Sequence, residues 1–264
     1  ARRIDPDHPR AALVLGLTFE DMERWEEARE VYESYLASAG DSDLRSRIES
    51  RLALLDRRQL QASIRRTIER ERELAEREPA ENSVAVFPYL YRGASPEFRP
   101  LSRAIAEFLV TDLARSDRLT VLERTRVQLL LDEMELSESG YVDPATAVRS
   151  GRLLGTSRVV QGVMGGDERS LRVETSMVDA RGEPAEEPAD PIFTGERSAE
   201  EILAMEAEIA FSVFDEMGIT LTPAERQAIQ QSPTDNLQAL VECGHPRTAP
   251  GAADGGDAAR HHQR

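Results

Sequence analysis

The sequence predicts an α/β protein in three parts: an all-α helical front, a mixed-sheet α/β domain and a disordered C-terminal tail. Three observations predict it. Apolar residues recur at three- and four-residue steps through the first third, as a helix requires. Ser83-Val84-Ala85-Val86-Phe87 is a short, nearly continuous apolar run after a breaker, as expected of a buried strand, and strand and helix patterns alternate after it. From Gly244 the chain turns to Gly, Ala, Pro, His and Arg without apolar periodicity, which cannot repay its ordering entropy. The boundaries drawn are 1–41 for a helical hairpin, 42–80 for a long connector helix and 81–231 for the α/β domain. A further helical segment opens at 232–242, and 243–264 is the tail.

The front begins at Pro9. Small residues (Gly16, Ala28) let two helices approach and aromatics (Phe19, Tyr32) fill the gap between them, with Trp25 at the turn. Leu15, Gly16, Phe19, Ala28, Tyr32 and Tyr35 fall where a tetratricopeptide repeat places its packing residues, so Pro9 to Gly40 resembles one such repeat; Phe19 stands in for the usual tyrosine and Gly40 for the usual proline. One repeat cannot bury its faces alone, which leads us to expect a piece of a longer repeat protein. Asp41-Ser42-Asp43 starts the long helix, with Leu44, Ile48, Leu52, Leu55, Ile64 and Ile68 as its stripe. The charged run after Ile68 reads as a solvated end or semi-rigid connector, with a coiled-coil contact as the alternative, and Pro79 stops it.

In the α/β part, Leu101, Ile105, Phe108, Leu109 and Leu113 mark an amphipathic helix, and Arg118 to Glu123 the next strand; this unit is expected to be parallel. Helices follow at Arg124–Glu135 and Pro144–Leu154. Ser157–Met164 and Leu171–Val178 form a hairpin turning at Gly165-Gly166-Asp167-Glu168, with Leu171, Val173, Thr175 and Met177 on its single apolar face. A weak strand at Ile192–Gly195 precedes a helix from Ala199 to Met217 with Ile202, Met205, Ile209, Phe211 and Val213 apolar. Thr222 caps a last helix that has Pro223 at its first position.

Composition excludes several function classes. All 33 basic residues are arginine, and 49 carboxylates leave a formal net charge of −16. Residues 81–242 hold 29 carboxylates against 15 arginines, so the α/β domain is poorly suited to approach phosphate, and no nucleic-acid partner is expected. A single cysteine rules out an internal disulfide framework and a Cys-rich zinc site. The longest apolar stretch, about Ala11 to Leu17, falls short of the roughly 20 residues of a spanning helix.

Five ordered blocks then carry a family resemblance. Val84-Ala85-Val86-Phe87-Pro88, Ile105 to Leu113, Val121-Leu122-Glu123-Arg124, Glu135 to Pro144 and Gly151 to Gly155 resemble the CsgG-like family, named for the curli secretion channel, across about Ser83 to Met217. The resemblance implies a periplasmic α/β domain, associated with the outer membrane, often in a lipoprotein, that self-associates or serves envelope assembly. In relatives that also carry tetratricopeptide repeats, the Pro233–Leu240 stretch opens another array; here it dissolves into the tail, and a truncation or frame error after about Val241 is expected. A membrane barrel needs roughly 9–11 lipid-facing residues per strand. The 157–179 hairpin and the acidic, proline-rich 181–190 connection do not supply them, so no pore is expected.

No catalytic, cofactor-binding or metal-ligating residue is assigned. Glu186-Glu187 reads as a solvated loop rather than an acid/base pair, and Glu123-Arg124 as a helix cap rather than a recognition surface. Gly151 and Gly155 flank a helix end without a phosphate-binding string, and Gly162, Gly165 and Gly166 read as hairpin chemistry. His245, His261 and His262 lie in the tail with Cys243 beside it, and neither group has the preorganisation of a site. Trp25 reads as hairpin packing rather than a partner hot spot. The leading expectation is a non-enzymatic envelope protein whose repeat segment holds a partner protein and whose α/β domain forms a homo-oligomer. The alternative is a small-molecule-sensing or enzymatic domain with a pocket where the strands after Phe87 and Glu123 end.

Overall fold

The computed structural model describes residues 9–38, 45–74, 78–136, 138–167, 169–183 and 189–231. An all-helical N-terminal region precedes a three-layer α/β/α unit built on a mixed sheet. The readings for Glu186-Glu187, the 232–242 segment and the 243–264 tail with Cys243, His245, His261 and His262 lie outside the described residues.

Helices α1 (Pro9–Asp21) and α2 (Trp25–Ser38) form the hairpin. Its close approach depends on Gly16, where a Cβ would stand 2.1 Å from the Tyr32 ring. Ala12, Ala28, Tyr32 and Tyr35 are buried at that contact, and Phe19 packs at its edge. Glu23, at a φ of 55°, makes the turn, and Trp25 is the first residue of α2 rather than part of the turn. Its ring packs on the hairpin core, with the indole N–H buried and no hydrogen-bond partner among the described residues. Glu20 lies buried among the helices as the hub of an ionic cluster. Tyr32 donates to it at 2.6 Å, Arg51 donates to both its oxygens at 3.1 and 2.5 Å, and Arg58 donates at 2.9 Å.

Helix α3 (Arg45–Glu69) is the main departure from the expected connector. Its first half gives Ile48, Leu52 and Leu55 to the hairpin core, and its second half gives Leu60, Ile64 and Ile68 to the core of the α/β unit. Beyond Ile68 the charged run leaves Glu69, Arg70, Arg72 and Glu73 exposed, as a solvated end does, but after a break at Arg70 α4 (Glu71–Leu74) presents Glu71 to Arg149 through two bonds of 2.7 Å, and upstream Arg65 pairs with Glu133. Charge occupies the rim of this contact and the three apolar residues its centre, so the charge pattern alone hid the packing.

The sheet runs β3-β1-β4-β5-β6, with β2 also on β4. Strand β1 (Ala80–Val86) pairs in parallel with β3 (Thr120–Val121) and with β4 (Thr156–Asp167), confirming the parallel strand–helix–strand unit through α5 (Arg99–Leu113). Strand β3 is shorter than expected because Arg118 leaves the sheet to donate to the Thr220 carbonyl and to Glu225. A two-residue β2 (Leu90–Tyr91) prolongs the β1 line after the interruption at Phe87–Tyr89 and was not foreseen. Antiparallel β5 (Ser170–Asp179) and β6 (Pro191–Arg197) complete the sheet.

The hairpin runs further than the sequence implied. Gly165, Gly166 and Asp167 are paired strand residues opposite Arg172, Leu171 and Ser170, so the glycines are not the turn. Gly166 is required there: its φ is 108°, and a Cβ would stand 2.0 Å from the Ser170 carbonyl oxygen. The turn is instead held by Asp167, whose Oδ1 accepts from the amides of Arg169 and Ser170. Gly162 has a different duty, admitting the Tyr89 ring 2.3 Å from where its Cβ would lie. Gly162→Ala is therefore expected to cost about 1–3 kcal/mol by overpacking, read as a lower urea midpoint with unchanged slope.

One sheet face is covered by α5, α8 (Ile202–Glu216) and α9 (Pro223–Gln230), the other by α3, α6 (Arg124–Glu133) and α7 (Pro144–Leu154). The second apolar side of β5 follows from this: Val178 is buried on the α7 side, correcting the single-faced reading. Phe211 is only partly buried, with the Arg226 guanidinium 4.6 Å above its ring, while Ala210 and Phe214 take the core positions. The Thr222 cap forms as read, in a reciprocal capping box with Glu225, whose carboxyl is held down to about 2 by those bonds and by Arg118. No helix among the described residues is long and apolar enough to cross a membrane.

Candidate functional site

The first place to look for a site is the carboxyl edge of β1. There α5 leaves on one face of the sheet and α6, after β3, on the other, a crevice where α/β sheets commonly bind ligands. The crevice is lined by Pro88, Tyr89, Arg99, Ser102, Arg103 and Gln128, with about 30 Å³ of free space, room for one or two water-sized groups. Its polar groups are spent inside the chain. Tyr89 bonds Thr175 at 2.8 Å, Ser102 donates to the Arg99 carbonyl, and Gln128 donates to Asp132. Arg99 and Arg103 have interactions of their own. Side chains leave little free volume at this edge.

Glu123 sits beside the crevice as the N-cap residue of α6, but its side chain bonds no amide there, so only its backbone caps; Arg124 pairs with Glu107 of α5. Gly155 ends α7 in the left-handed conformation, and Gly151 lets α7 lie against Ala180, as positions flanking a helix end. The two glycine pairs and Glu123-Arg124 are thus separate structural features rather than one constellation. Among the described residues, no group of three or more His, Cys, Asp or Glu could hold a metal ion.

The second place is the outer half of the hairpin sheet. Helices α6 and α7 cover only the first part of β4 and the end of β5. Beyond them an open groove of about 380 Å³ is bounded by Val163, Gly165, Arg172, Glu174 and Glu196. Gly165 is not demanded by packing, since a Cβ there would meet nothing closer than 3.9 Å. Its absence keeps the floor of the groove low, as where another chain approaches a sheet.

The third feature was missed by sequence reasoning. Asp112 of α5 and Glu206 of α8 are buried against each other in the core, their carboxyls hydrogen-bonded, which requires one of them to keep its proton. Burial and the facing Asp112 hold the Glu206 carboxyl well above the usual carboxylate range. Burial likewise raises Asp112, opposed by Arg115, which donates to it at 2.7 Å. The other Glu206 oxygen, Oε1, is buried with no hydrogen-bond partner among the described residues. The signal was present: Glu206 stands four residues after Ile202 and three before Ile209, inside the apolar stripe itself.

With this geometry established, comparison with known proteins gives one family. Residues 83–175 match the family of the curli production assembly/transport component CsgG, agreeing with the five sequence blocks over that span. No curated protein matches the chain. Among solved structures, E. coli LpoB overlaps at a TM-score of 0.34 with 12% identity, covering 49% of this chain and 63% of that one. The lipoprotein GNA1162 from Neisseria meningitidis overlaps at 0.35 with 15% identity, covering 53% and 99%. The C-terminal domain of LpoB from Salmonella enterica overlaps at 0.31 with 14% identity, covering 52% and 92%. These three overlaps are too distant to carry architecture or function to this chain.

Proposed function

We propose that this chain is a non-enzymatic protein of the bacterial cell envelope, acting in the periplasm at the outer membrane as a protein-interaction or assembly factor. The observation that carries the reading is the match of residues 83–175 to a component named for curli production assembly and transport. The narrow strand edge supports it, because the place where an α/β sheet would hold a substrate has only about 30 Å³ of free space, and Tyr89 and Ser102 there are bonded within the chain. The tetratricopeptide-like hairpin takes a partner protein and the α/β domain self-associates, with the open hairpin groove as its contact surface. The chain forms no pore.

The test is fractionation of cells expressing the full-length gene, with light scattering on the purified protein. Recovery with the envelope and a mass that rises with concentration are expected. Recovery in the cytoplasm overturns the location, and a monomer at every concentration overturns self-association. Val163→Glu at the groove is expected to shift the association equilibrium by at least about tenfold, since it sets a further carboxylate beside Glu174 and Glu196 where the contact would bury it, a cost above about 1.4 kcal/mol.

A further inference from the structure

We propose that the Asp112–Glu206 pair is a proton-operated latch between α5 and α8, closed while the two carboxyls share a proton and released when both ionise. A carboxylic acid donating to a carboxylate is a stable buried pair, whereas two facing carboxylates repel, and Glu206 is almost wholly withdrawn from water. The pair joins the two helices that cover one face of the sheet, so its repulsion acts on that joint directly.

The neighbourhood offers Glu206 little to neutralise a second charge. From α5 it faces Asp112 and, beyond it, Arg115, which is already committed to Asp112 and more than a third exposed. From the segment after β1 it faces the Tyr89 hydroxyl, which is held by Thr175 of β5 and would itself be repelled as an anion. The charged residues of α9 point elsewhere, Glu225 to Arg118 and Arg226 to the Phe211 ring. Among the described residues, the orphan Oε1 therefore has no bonded cation to receive its charge.

The sign follows from the raised position of both groups. The folded state holds more protons than the unfolded chain, so the pair's contribution is complete below the ordinary carboxylate range. It is lost as pH rises through the raised values. Release loosens α8 and, with it, α9, uncovering Val84, Val160, Leu171 and Val173 of the sheet. The latch stands on the burial and contact of these residues and does not depend on the envelope reading.

The experiment is denaturant unfolding of the full chain from pH 5 to pH 9, paired with peptide-resolved hydrogen exchange corrected for intrinsic rates. For the wild type, the unfolding constant is expected to rise at least about tenfold over that range. Exchange is expected to rise first in α8 and α9. Glu206→Gln, which still donates to Asp112 but cannot ionise, flattens the profile to within about twofold of constant, while Asp215→Asn on the exposed side of α8 leaves it unchanged. Should Glu206→Gln fold poorly, Glu206→Leu serves, because it removes the titration and leaves the Asp112–Arg115 pair intact. An unchanged slope in whichever of these folds, or loosening that spreads equally to α6 and α7, overturns the latch.

Discussion

Glu20→Ala is expected to cost about 3 kcal/mol of stability, because it strips a buried ionic hub of the carboxylate at its centre. Tyr32 loses its acceptor inside the core, and Arg51 and Arg58 face each other across the vacancy. Arg58 is half-exposed and can turn to water, which keeps the cost below that of a fully enclosed pair. Glu20→Gln retains an acceptor for Tyr32 and is expected to lose about half as much. The measurement is built into the sequence: Trp25 is the one tryptophan, and it packs on the hairpin core. Its fluorescence reports this region, while circular dichroism reports all the helices. A normal fluorescence midpoint in Glu20→Ala would show that the cluster does not hold the hairpin.

Phe87→Ala is expected to cost about 3–5 kcal/mol, the usual penalty for emptying a fully buried aromatic site. The ring is wholly enclosed beneath α6 and α7, beside Ala85, Val127 and Val159, while its amide keeps the strand line by donating to the Val160 carbonyl at 2.9 Å. The substitution leaves that backbone bond in place, so the loss is one of packing. It appears as a lower urea midpoint by circular dichroism with the slope retained. A change under 1 kcal/mol would mean that the two helices collapse into the space.

What the sequence made legible follows from how each element is stabilised. The hairpin was readable because its contact needs particular sizes at particular spacings, Gly16 against Tyr32 above all. The last helix was readable because Thr222, Pro223 and Glu225 act within four residues of one another. By contrast, β2 is two residues whose strand partner is β4, more than 70 positions away, and no local pattern announces it. The run of Gly165, Gly166 and Asp167 looked like a turn because glycines usually mark one; register with β5 decided otherwise. Charge misled twice: around Ile64 and Ile68 it concealed the contact with the α/β core, and at Glu206 it hid a core position. The narrow crevice at the end of β1 depends on Tyr89, Ser102 and Gln128 meeting from three elements, which spacing alone cannot foretell.

Helix α3 gives the protein a phase. The hairpin core takes α3 through Leu55 and the α/β core takes it from Leu60, so four residues separate two anchored stretches of one continuous helix. Inserting one residue between them would turn the hairpin by about 100° about the helix axis and move it about 1.5 Å. Inserting seven would move it about 10 Å outward but return it to within about 20° of its present bearing. The direction in which the hairpin faces is therefore set by a residue count, and a length change at 56–59 would re-aim it while displacing the contacts that Asp56 and Arg58 make with Arg29 and Glu20 of the hairpin.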